Sequence, residues 1–111
     1  QLPISKNYSS EFIENTTKKD FLNIVLEQQR ERDFEYTKKA LGYSSKVLKD
    51  INECVSNKFN NYMESSGKFN VLVPNFENQE EMNDYAMNLL KEEELVYSFW
   101  TFQCSEIYTK K

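Results

Sequence analysis

The sequence predicts an all-α domain. It reads as a bundle of four (or three) helices with one long amphipathic helix over residues 33–65 and a single disulfide between Cys54 and Cys104. Three observations carry this reading. Only two Gly and two Pro occur in 111 residues, so the many turns of an all-β chain are missing. Apolar residues recur at spacings of three and four rather than two along most of the chain. The cysteine count is even in a small domain, the pattern of a chain that matures in an oxidising compartment.

The length suits one domain with one core, divided into an extended arm over residues 1–8 and a helical domain over 9–111. Hydrophobic residues are 39% of the chain, a modest share. Eight Phe, seven Tyr and one Trp compensate, because each aromatic ring buries a large area.

The first helix starts near Ser9 or Ser10, or restarts at Thr17, where Thr17-Lys18-Lys19-Asp20 resembles a capping box with Asp in the place of Glu. Its apolar stripe is Phe21, Leu22, Val25 and Leu26. Residues 27–33 hold no apolar side chain, so the helix there projects into solvent or the chain turns. From Phe34 onward, Thr37, Leu41, Ser44, Leu48, Ile51, Val55, Lys58 and Tyr62 alternate by three and four, which predicts the long helix. Gly67 stands where a helix C-terminus needs it. Gly42 inside this span costs about 1 kcal/mol relative to Ala and could mark a bend.

Residues 68–76 (KFNVLVPNF) contain strand-like residues, but Pro74 and the lack of a strand partner make them an apolar crossing segment. Asn78 then opens a helix with Glu81 three residues on, and Met82, Tyr85, Ala86, Leu89 and Leu90 form its buried stripe. The pattern resumes with Val96, Phe99, Trp100, Cys104, Ile107 and Tyr108. A hairpin hinged near residue 70 would set Cys54 against residue 86, so a Cys54–Cys104 bond suggests a bend within residues 92–95 and a fourth helix folding back; the alternative is two long helices crossing at a steep angle near their far ends.

Composition excludes several chemistries. There is no His, hence no imidazole base, nucleophile partner or metal ligand. Two cysteines fifty residues apart make no zinc site, and two isolated glycines make no phosphate loop. A carboxylate pair such as Glu53 and Glu106 is the only catalytic constellation left, and helix-borne Glu residues are ordinarily solvated. The chain therefore reads as a non-enzyme without a cofactor. Glu77, Glu80, Glu81 and Asp84 lack the ligand spacing of a calcium loop and suit a helix N-terminus.

The net charge is −4, and residues 77–94 hold seven acids against one base. No basic face invites nucleic acid, and no stretch reaches membrane-span length. Gln1 in place of Met and the sequons at Asn7 and Asn15 agree with a secreted, glycosylated chain whose signal peptide has been removed.

Tyr97, Phe99, Trp100 and Phe102 cannot all share one helix face, since positions 99 and 100 differ by about 100°. One or two therefore lie outside or under residues 68–76: the aromatics fill the core, or wall a ligand cavity, or form with Glu92, Glu93 and Glu94 a site for a partner protein, with Tyr97, Trp100 and Phe102 as its candidate aromatic contacts. A second expectation is a carrier holding a small hydrophobic ligand in a cavity lined by Phe21, Leu22, Phe34, Tyr85 and Phe99.

The overall profile combines the Gln1 start, twelve Lys to two Arg, abundant Asn, one cysteine pair and helical patterning. In that profile alone the chain resembles the short helical proteins secreted in arthropod saliva or as effectors, such as mosquito salivary immune modulators of the neutrophil-stimulating factor type. The resemblance implies a modulator of host immunity or haemostasis that binds a host or receptor protein. The additional cysteines of insect odorant-binding and chemosensory proteins are absent.

Overall fold

The computed structural model describes residues 15–109; the expected arm over residues 1–8 and the sequon at Asn7 lie outside them. The protein is all-α, with four helices among the described residues: α1 (Lys18–Leu41), α2 (Ser45–Ser66), α3 (Gln79–Glu92) and α4 (Glu94–Thr109). The main core joins Phe21, Leu22, Val25 and Leu26 of α1 to Phe59 and Met63 of α2 and to Met82, Ala86 and Leu89 of α3. Phe69 and Val73 of the crossing segment close it. A second, smaller cluster unites Ile51 and Val55 of α2 with Cys104 of α4.

The long helix expected over residues 33–65 is two helices. Gly42 adopts the left-handed conformation (φ 70°) and ends α1. Ser44 then accepts a hydrogen bond from the Val47 N–H at 3.2 Å and caps α2. A C-terminal glycine followed at once by an N-capping serine outweighs the periodicity, which spans the turn only because the register continues by coincidence. Ser44, read as a seam position, is a cap instead, and Leu41 is exposed. Residues 27–33, apolar-free in sequence, continue α1, and Gln28 there is buried.

The N-terminus of α1 shows where its unpaired backbone donors go. Thr17 Oγ1 accepts from the Asp20 N–H at 3.2 Å. The Lys18 and Lys19 N–H groups donate to the carbonyls of Val71 (2.7 Å) and Phe69 (3.1 Å) in the crossing segment, and the Val73 N–H donates to the Thr16 carbonyl at 3.0 Å. The strand-like residues thus find a partner after all, as a single antiparallel bridge between Thr17 and Leu72, and their carbonyls satisfy donors that every helix start leaves unmade. The Asn78 cap is also formed, accepting from the Glu81 N–H at 2.9 Å. Glu81 Oε2 accepts from the Glu77 N–H at 2.8 Å, so this acidic stretch serves a helix start.

The expected bend within residues 92–95 falls at Glu93. Its N–H still donates to Leu89 and Lys91 carbonyls, but its φ and ψ of −107° and 10° leave the helix. The Glu93 side chain is only 3% exposed. Tyr62 Oη donates to its Oε2 at 2.9 Å, and Lys68 Nζ pairs with its Oε1 at 2.9 Å. A carboxylate taken from water without partners costs several kcal/mol; here α2 and the crossing segment each supply a donor. The Lys68 ammonium is held above its ordinary value, chiefly by hydrogen bonding to Glu93 and then to Tyr62. Burial, then the nearby Glu92 charge, raises Tyr85 in the same direction.

Cys54 and Cys104 are bonded, with their Cα atoms 6.0 Å apart and 50 residues of chain between them. Loop closure of this length stabilises by about 4 kcal/mol through the unfolded state. A double variant, Cys54→Ser with Cys104→Ser, is expected to lose about that amount in urea unfolding; an unchanged midpoint would refute the estimate.

The corner at Glu93 gives a pH prediction. At neutral pH Lys68 is protonated in both folded and unfolded chains, and its ion pair contributes in full. As pH rises through the elevated folded value that contribution disappears. Tyr85 acts in the same sense, because the unfolded phenol ionises first while the folded one stays neutral. Stability should therefore hold from neutrality to about pH 10 and fall above it, followed by urea unfolding at successive pH values. Lys68→Gln should shallow that alkaline fall; an identical slope in the variant would exclude the linkage.

Candidate functional site

The inward face of α4 is fixed covalently. Cys104 is 0% exposed and is the one residue of this helix that is fully buried. One turn earlier, Trp100 packs edge-on against Phe59 (centroids 5.5 Å apart) and Tyr62 (5.3 Å). Tyr97 leans on Phe59 at 6.0 Å and borders both core clusters. With Cys104 turned inward at about 100° per residue, Leu95 falls about 180° away, and Phe99 and Phe102 flank it. All three are outside: Leu95 is 86% exposed, Phe99 58% and Phe102 64%.

The result is an apolar line at positions i, i+4 and i+7, the spacing by which a helix presents anchors to a groove. Transfer of such side chains from water into an apolar surface is worth about 2 kcal/mol each. Ile107 and Tyr108 are exposed as well, but they lie on the side of the helix nearer Cys104 and are not part of this line. The helix carries Glu94 and Glu106 and no Lys or Arg within its span. Exposed Glu80, Glu81, Asp84 and Glu92 on α3 add to the negative field. Lys58 of α2 shares a shallow depression with Gln103, Glu106 and Ile107.

The residues expected to bind divide cleanly. Phe102, Glu92 and Glu94 are exposed, as a contact requires. Tyr97 and Trp100 are half-buried and face inward, so they brace α4. Glu93 is the buried corner carboxylate, closed to a partner by Tyr62 and Lys68. Leu95 was missed; counting back from an inward Cys104 places it outside together with Phe99 and Phe102. Asn15 is exposed at the turn before α1.

The five residues expected to enclose a ligand do not form one cavity. Phe21 is buried in the core between Phe76 (5.8 Å) and Tyr85 (5.6 Å), and Phe99 points outward. Leu22 borders a cleft of about 470 Å³ and Phe34 an adjoining one of about 170 Å³. Among the described residues no cluster of His, Cys, Asp or Glu is arranged to hold a metal ion, and no helix is long and apolar enough to cross a membrane.

No family model matches this chain, and no curated protein or solved structure is similar to it.

Proposed function

We propose that the protein is a secreted, non-enzymatic binding factor that lays the outer face of α4 into an apolar groove on a host or receptor protein. The observation that carries this reading is the line Leu95, Phe99 and Phe102, held outward by a helix whose opposite side is bonded to α2. A groove with a basic rim would suit a helix that carries Glu94 and Glu106 and no Lys or Arg within its span. Secretion is supported by the disulfide and by the sequon at Asn15, whose Asn is exposed. The resemblance in overall profile to salivary and effector proteins supports reading such a factor as a modulator of host immunity or haemostasis.

The site is rigid before it binds. The disulfide, the Glu93 corner and the ring contacts of Trp100 hold the anchors in one geometry, so little ordering entropy is lost on docking.

Binding to a panel of purified host plasma and cell-surface ectodomains tests the reading. The wild-type chain should bind a member of the panel, and Phe99→Asp or Phe102→Asp should weaken that binding by about 30-fold, as expected for a central anchor. Both positions are exposed, so thermal melting should not move. Glu94→Lys should chiefly slow association, and less so at high salt. Undiminished binding by both Asp variants would rule out this face.

A further inference from the structure

The larger cleft, about 470 Å³, opens between α1 and the α3–α4 corner, and none of Leu95, Phe99 and Phe102 lines it. That volume is within the range of small-molecule sites. Leu22, Leu26 and Phe59 make its floor and are closely covered. Leu90 and Tyr97, both half-buried, supply the apolar walls. At the mouth stand Gln29, Ser98, Lys91 and Glu94.

The charges at this mouth cancel. Glu93, which also borders the cleft, is already neutralised by Lys68 at 2.9 Å, leaving Lys91 against Glu94. Lys91 and Glu94 both line the cleft, so an anionic head and a cationic head would each find a like charge beside the opposite one. Either ion gives up hydration without a net counter-charge. The neutral amide of Gln29 and the hydroxyl of Ser98 can each donate and accept a hydrogen bond, which suits an uncharged polar group. The cleft is continued along α1 by the smaller one, which shares Gln29 and Tyr97 with it and passes Phe34. Its occupant is accordingly elongated.

We infer that this cleft binds an uncharged, elongated amphiphile, an aliphatic alcohol in chemical class, with its hydroxyl between Gln29 and Ser98 and its chain against Leu90 and Tyr97. The site is independent of the α4 stripe.

Displacement of the uncharged fluorophore N-phenyl-1-naphthylamine by decan-1-ol, decanoate and decylamine tests the inference at neutral pH, because the three competitors share a chain and differ in charge. Decan-1-ol should displace the probe at a concentration about tenfold lower than either ion. Ser98→Trp, and separately Gln29→Trp, should block the mouth and raise the half-displacing concentration by a similar factor, with melting temperatures showing that each variant folds. Phe102→Asp should leave displacement unchanged, which separates this site from the α4 face. Equal potency of the three competitors, indifference to both Trp variants, or loss of displacement in Phe102→Asp would overturn the assignment.

Discussion

The arrangement of the whole molecule depends on a carboxylate that is removed from water at the junction of α3 and α4. Glu93 ends one helix and precedes the next, and its side chain turns inward, where α2 offers Tyr62 and the crossing segment offers Lys68. Removing either donor would leave a charge in a medium that solvates it poorly, a far larger loss than that of an exposed ion pair. The direction of the chain at this corner is therefore specified as well as stabilised. Three segments distant in sequence must be in place before the corner is satisfied, and α4 takes its course from it.

The disulfide completes what the corner begins. Glu93 fixes where α4 starts, and Cys104, about three turns on, fixes which side faces α2. Between these two points Trp100 and Tyr97 fill the gap against Phe59 and Tyr62. A helix with fewer restraints would roll to cover Leu95, Phe99 and Phe102. With its inner face bonded, it cannot do so without breaking a covalent link. The exposed apolar line is thus a property that the fold maintains against the hydrophobic effect, in contrast to a scattered set of surface residues.

Much of this was legible in sequence where a local rule and the global pattern agreed. Gly67 and Asn78 bound their helices because the stereochemistry of caps is local. The bend near Glu93 followed from the cysteine spacing, since a disulfide turns a long-range distance into arithmetic. Gly42 misled because two rules conflicted there, with the three-and-four periodicity running through a position whose left-handed backbone ends α1. Glu93 was read as surface charge because acidic runs ordinarily are; its burial depends on Tyr62 and Lys68, neither of which is its neighbour in sequence. Tyr97 and Trp100 were left open between core and contact surface for a similar reason. Which side of an aromatic helix faces inward is decided by tertiary packing, and in α4 only Cys104 carried that information in the sequence.

The crossing segment bears on the order in which the chain acquires structure. The first amides of α1 are paired with the carbonyls of Phe69 and Val71, some fifty residues downstream, and Phe69 and Val73 close the core over Phe21. Loop closure of that length must come before these bonds can form. The start of the first helix is therefore completed late, after α2 and the segment beyond it have folded back. The start of α1, which is synthesised before the segment it bonds to, is among the last parts to be secured, and hydrogen exchange at Lys18 and Lys19 reports on the docking of residues 69–73 as much as on α1 itself.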